Sequence, residues 1–193
     1  MKNKKSLCVY CGSSGETNPA HRQAAERLGE LLAKNSIRLI YGGGDIGLMG
    51  TLANAALDAG GEVVGVLPEF LEEWEVEHKG LSELIIVESM HARKQKMFEL
   101  SDAFAVLPGG YGTLEELLEV LTWKQLKLHS KPVIVVDPDG YWQPLRTLFE
   151  HIIQSGYADA DTSAYLTNVD KVETVLSILE KNPVQAEKPS AEK

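Results

Sequence analysis

Glu116 and Arg93 are the two side chains best placed to do chemistry, because each adjoins a segment suited to meeting a ligand. Glu116 closes the run Pro108-Gly109-Gly110-Tyr111-Gly112-Thr113-Leu114-Glu115-Glu116. Glycines let backbone N–H groups approach an anion closely. A helix opening at that point adds unpaired donors and the positive end of its dipole. The run has no lysine of the triphosphate-loop type, so a monophosphate group fits it better. A plain glycine turn explains the same residues without a ligand. Glu116 also has a second reading. Thr113-Leu114-Glu115-Glu116 is a capping box, with Thr at the cap and Glu three residues on.

Arg93 falls on a helical span, 90–101, between Met90 and Met97 on one face, with His91 and Lys94 on adjoining faces. An arginine on an apolar stripe needs a partner or a ligand, unless it snorkels and keeps its head in water. Buried, it could reach a carboxylate on a neighbouring loop, and Glu116 is the candidate. Gly42-Gly43-Gly44-Asp45-Ile46-Gly47 satisfies G-x-G-x-x-G. The dinucleotide fingerprint normally follows the first strand, and this run follows the second. Tight strand-to-helix packing explains it, while Gly43 and Gly44 can still line a pocket. Cys8 and Cys11 are spaced C-x-x-C inside a strand, which puts them on opposite faces. A redox pair needs a helix N-terminus and zinc needs two more ligands, so two buried thiols are expected. The five histidines show no metal-ligand spacing, and no metal is expected.

The elements that must position these residues alternate in type. Strand-like runs fall at 6–11, 37–41, 62–67, 84–87, 103–107 and 132–136, with a last at 165–169. Helical periods fall at 19–34, 48–60, 90–101, 113–128 and 142–155, with a last near 170–181. Such alternation predicts an α/β fold of right-handed βαβ units, with helices covering both faces of a mainly parallel, twisted sheet of about seven strands. In such sheets ligands bind beyond the carboxyl ends of the strands. Gly12-Ser13-Ser14-Gly15, the Gly42 run, Ser89–Lys94 and the Pro108 run all follow strands on that edge. Trp74, Glu75 and His78 lie in a longer connection, 68–82, acidic and solvated by composition, which could fold over the pocket as a lid. Residues 1–181 read as one domain and 182–193 as a disordered tail.

The chain has 193 residues, with 19 Lys and Arg against 28 Asp and Glu, a formal net charge of −9. That balance argues against nucleic-acid binding by phosphate neutralisation and against a polybasic membrane footprint. No apolar run approaches the ~18 residues of a bilayer span. The basic start lacks a signal-peptide core, so a cytoplasmic location is expected. The helix expected over 113–128 is apolar on more than one side, which predicts a homodimer using it and 90–101.

Ser89-Met90-His91-Ala92-Arg93-Lys94 and Pro108–Glu116 together resemble the paired signatures S-M-H-x-R-K and P-G-G-x-G-T-x-x-E of the LONELY GUY family, whose members are cytokinin riboside 5′-monophosphate phosphoribohydrolases. Val9-Tyr10-Cys11-Gly12-Ser13-Ser14 and Tyr41–Gly50 extend the resemblance, which covers about 6–180. The resemblance implies a Rossmann-like three-layer fold, a homodimer, and hydrolysis of the N-glycosidic bond of AMP or a cytokinin nucleotide, without a cofactor. Carried over by motif, Arg93 and Glu116 would be catalytic. Lys94 and Gly110, Tyr111, Gly112, Thr113, Leu114 and Glu115 would contact the nucleotide, with Glu75 and Thr122. Met90, Gly109, Gly12, Ser13, Gly43 and Gly44 complete the expected lining. Relatives are often labelled possible lysine decarboxylases, but no lysine here has the context of a pyridoxal Schiff base. A non-catalytic nucleotide or molybdenum-cofactor carrier is the alternative, since similar folds serve binding alone. A dinucleotide oxidoreductase is disfavoured by the misplaced fingerprint.

Overall fold

The computed structural model describes residues 4–15, 18–71, 78–159 and 164–181. Trp74, Glu75 and the expected tail lie outside the described residues. The chain runs β1 (Ser6–Tyr10), α1 (Pro19–Lys34), β2 (Arg38–Tyr41), α2 (Gly47–Asp58), β3 (Val63–Pro68), a 3-10 turn (Glu69–Leu71), β4 (Glu83–Val87), α3 (Met90–Glu99), β5 (Ala103–Val106), α4 (Tyr111–Gln125), β6 (Val133–Val136), α5 (Gln143–Gln154), β7 (Thr167–Val169) and α6 (Glu173–Lys181). Among the described residues the seven strands form one sheet of order β4-β3-β2-β1-β5-β6-β7. Every pairing is parallel. Helices cover both faces, giving three layers.

Strand periodicity builds two cores. Leu7 and Val9 of β1, with Ala103 and Ala105 of β5, pack beneath α1, α2 and α6. Cys8 and Tyr10, with Phe104 and Val106, face the other way, toward α3 and α4. β1, β3, β5 and β6 are buried along their whole length, which is why they read as continuous apolar runs. The two cysteines fall on opposite faces, and both are free and buried.

Local signals start several helices. The Asn18 side chain accepts from the Ala20 N–H at 2.9 Å and Pro19 follows it, opening α1. The Ser89 hydroxyl accepts from the Ala92 N–H at 3.1 Å, opening α3. The capping box expected at Thr113 and Glu116 does not form. α4 begins two residues earlier, at Tyr111, with Gly110 as its N-cap and no capping side chain. Gly110 is extended (φ −93°), an acceptable cap conformation. Thr113 thus sits inside the first turn and is buried.

Candidate active site

Strand order reverses at β1, whose neighbours β2 and β5 come from opposite halves of the chain. The crevice at such a point lies between the loops that leave the two diverging strands, here Gly12–Gly15 and Pro108–Gly110. The Gly12 N–H donates to the Pro108 carbonyl at 3.0 Å, joining them. The Gly12 carbonyl accepts from the N–H groups of Leu48 (3.0 Å) and Met49 (3.3 Å), at the start of α2. These two donors at the start of α2 are therefore engaged by the protein itself. Within the Gly42 run, Gly47 lies tight against the Ser13–Ser14 backbone.

The start of α4 is different. No side chain caps it. Gly110, Tyr111 and Gly112 are exposed, Tyr111 at 93%. A Cβ at Gly110 or Gly112 would meet nothing within 4 Å. The first-turn N–H groups and the positive dipole end thus border open space at the carboxyl edge of the sheet, the setting in which helices hold anions.

Arg93 does not snorkel; it is only 4% exposed. Its Nη2 donates to the Gly42 carbonyl at 2.7 Å, and Nη1 lies 3.9 Å from the Met90 sulfur. A Cβ at Gly42 would overlap Nη2, so the first glycine of that run clears the guanidinium's place. Glu116, 8% exposed, sits on α4 one turn past the glycine loop. Burial and then its negative charge push the thiols of Cys8 and Cys11 up. Its carboxylate therefore acts on the carboxyl end of β1, beside the end of β2 where Arg93 is anchored. Lys94 ties the two helices together: Nζ donates to Glu115 Oε1 at 2.5 Å and Glu119 Oε1 at 3.0 Å. Burial alone would lower its pKa, but the two carboxylates outweigh it and hold the ammonium above its ordinary value.

The other expected residues divide. Met90 is half-buried at the start of α3, Gly12 half-buried and Ser13 exposed in the β1 loop, and Leu114 half-buried against the core. Gly109 is half-buried, with its Cα side against Thr113 and Gly12. Gly43 and Gly44 are buried, and the Gly43 carbonyl accepts from the His78 N–H at 3.2 Å. His78, expected in a solvated connection, is buried, with Nε2 3.1 Å from Asn54 Oδ1. Thr122 is exposed on α4 and its hydroxyl donates to the Leu118 carbonyl. It lines an apolar groove of about 280 Å³ between α4 and α5, with Leu118, Leu121, Phe149, Ile153 and Tyr165.

Sequence reasoning stopped at the loop after β5 and missed the one after β6. There Tyr141 donates to the Gly109 carbonyl at 2.7 Å. The signal was present: Asp137-Pro138-Asp139-Gly140-Tyr141 is a polar, glycine-containing run on the same edge. Among the described residues no group of three or more His, Cys, Asp and Glu could hold a metal ion. No described helix is long and apolar enough to cross a membrane.

The family model "Possible lysine decarboxylase" matches residues 49–179. A cytokinin riboside 5′-monophosphate phosphoribohydrolase of Rhodococcoides fascians is 45% identical over 176 residues, covering 91% of this chain and 89% of that protein. An Arabidopsis thaliana protein of the same name is 39% identical over 174 residues, covering 90% and 82%. The molybdenum cofactor binding protein of Rippkaea orientalis superposes with a TM-score of 0.73 over 94% of this chain and 98% of that one. The molybdenum cofactor carrier of Chlamydomonas reinhardtii gives 0.72 over 95% and 100%. Both are 21% identical, so they show the Rossmann-like architecture and nothing of the ligand. With the family model spanning 49–179 and identities of 39% and 45% across nine-tenths of its length, the chain belongs to the possible lysine decarboxylase family, among its LONELY GUY phosphoribohydrolases.

Proposed function

We propose that this protein hydrolyses the N-glycosidic bond of AMP or of a cytokinin riboside 5′-monophosphate, releasing the free base and ribose 5-phosphate. The observation that carries the reading is the uncapped, solvent-facing start of α4 beside two buried groups of opposite charge, Arg93 and Glu116. The α4 N-terminus holds the 5′-phosphate. Breaking the bond builds positive charge on the ribose, in an oxocarbenium-like transition state. Glu116 stabilises that charge and orients or deprotonates the attacking water, whose oxygen ends on C1′. The departing base takes up negative charge and gains, by way of Glu116 and solvent, the proton that the attacking water gives up, so that water's OH ends on C1′ and its other hydrogen on the base. Arg93 stays cationic; it holds Glu116 ionised and donates a hydrogen bond toward the base. This reading places one carboxylate at the sugar, unlike the two-carboxylate glycosidase scheme.

Decarboxylation does not fit these residues. A Schiff-base lysine needs a depressed amine, and Lys94, the buried lysine at the site, is held as an ammonium between two carboxylates. Lys124, whose amine burial does lower, lies near the far end of α4 and donates to the Lys131 carbonyl.

The test is base release from AMP against adenosine. Charge-assisted bonds of about 1.5–3 kcal/mol each should favour AMP by roughly 10²-fold or more in kcat/KM. Equal turnover of the two would refute phosphate binding by this loop. The same reading includes a homodimer in the cytosol, the latter supported by two free thiols. Leu118, Leu126 and Leu128, on and just after α4, and Leu148 on α5 are 45–67% exposed. The outward residues of α3, His91, Gln95 and Glu99, are polar, which favours α4 with α5 as the paired face.

A further inference from the structure

The geometry points to Tyr141 as a positioning residue that fixes the orientation of the Gly109–Gly110 peptide, and with it the direction of a phosphate-binding N–H. This rests on reading Gly109–Thr113 as the phosphate loop.

The Gly109–Gly110 peptide has no Cβ on either side. Its plane can therefore flip at little cost, which would turn a carbonyl, not an N–H, toward the anion. In a trans peptide the carbonyl and the following N–H point in opposite directions. The Tyr141 hydroxyl donates to the Gly109 carbonyl at 2.7 Å, so the Gly110 N–H is held pointing the other way, at the mouth of α4. The peptide before it is pinned likewise, because the Pro108 carbonyl accepts from the Gly12 N–H.

Tyr141 is 44% exposed and would move freely without support. Its ring stands edge-on to His21, with centroids 5.2 Å apart, and to Trp142 at 4.9 Å. His21, buried on α1, is itself held by the Asp139 carboxylate, 2.9 Å from Nε2. Asp139 also accepts from the Asn18 side chain at 2.9 Å. Between Asp139 and Tyr141, Gly140 takes φ +84°, which lets both side chains turn back toward the site. At the base of the loop the buried Asp137 accepts from the Trp142 N–H at 3.1 Å and from Arg146. The loop after β6 is thus anchored at both ends, and its tyrosine hydroxyl is directed at the carbonyl of a peptide flanked by two glycines.

The test is Tyr141→Phe in the full chain, assayed by chromatographic release of adenine. If the hydroxyl selects the competent peptide orientation, its loss lowers the competent fraction and weakens apparent affinity in proportion. We expect KM for AMP and the inhibition constant of inorganic phosphate to rise together, by about fivefold to tenfold, the size of one lost hydrogen bond. We expect kcat to stay within about twofold, slow adenosine hydrolysis to stay unchanged, and the melting temperature to fall by no more than about 2–4 °C. His21→Leu, which keeps the hydroxyl but frees the ring, should shift both constants the same way by less. Unchanged KM and phosphate inhibition would overturn the inference. So would a fall in kcat with KM constant, or a parallel loss on adenosine, since either would place the residue elsewhere in the reaction. If the wild-type protein releases no base from AMP, the hydrolase reading fails separately. Binding of inorganic phosphate, followed by phosphorus NMR, then decides: weaker binding to Tyr141→Phe sustains the inference and equal binding refutes it.

Discussion

Glu116 is a carboxylate on the first turns of a helix, a position where acids are usually ornaments of the dipole. What sets it apart is burial, with Arg93 buried on the neighbouring helix. Glu116→Gln keeps the shape and removes the charge, so kcat for AMP should fall about 10²-fold or more while AMP still binds. Arg93→Ala should lose a comparable factor, and the double variant should be little worse than either single one if the two act as a unit. Near-normal turnover of Glu116→Gln with an earlier melt would reduce the residue to a structural role. Lys94 permits a prediction about stability. Its folded pKa lies above the ordinary 10.5, so its ion pairs contribute fully below that value and are lost as pH climbs through the folded pKa. Lys94→Met should therefore melt below the wild-type protein at pH 7 to 9, with the gap closing in strongly alkaline buffer; a gap that persists there would exclude the ion pairs as its cause.

The behaviour of α4 depends on where it begins. Gly110 is extended and its missing side chain faces open space, so Gly110→Val should fold normally and obstruct only a ligand. We expect a higher KM for AMP at little change in melting temperature; an unchanged KM would remove this loop from the site. At this scale the sequence is a good guide where the backbone obeys one period. The alternation Leu7, Cys8, Val9, Tyr10 marks a strand buried on both faces, and the glycine runs mark the edge where strands end. The start of α4 was less legible. Thr113 followed by Glu116 satisfies a local capping rule, but Gly110 begins the helix first, and Thr113 is drawn inward. Arg93 was ambiguous because only the fold reveals that Gly42, fifty-one residues earlier in the chain, leaves a space shaped for a guanidinium. The loop that carries Tyr141 was legible as a polar, glycine-containing run, but the role of Tyr141 was not, because its partner is a carbonyl, which no side-chain motif encodes.

Viewed whole, the molecule carries a net negative charge and, among its described residues, an apolar groove on the α4–α5 side. Light scattering at micromolar concentration should give a dimer, and Leu118→Glu should shift it toward monomer; a monomeric wild-type protein would refute the proposed pairing. Sequence alternation was enough to foresee a parallel sheet, but not its strand order, because pairing partners are set by packing across the whole chain. That order carries a consequence for how the protein is made. β1 lies between β2 and β5, and Leu7 is in register with Ala103. A ribosome therefore delivers one side of β1 its neighbour early and the other only after some hundred residues of synthesis. Until β5 emerges, Cys8 and Tyr10 lack Phe104, and an edge that the finished protein seals stands open. Long-range pairing of this kind closes slowly, and the crevice lies on that seam. Catalytic competence should thus be among the last properties a nascent chain acquires, and chaperones should find their grip on the half-built β1 edge.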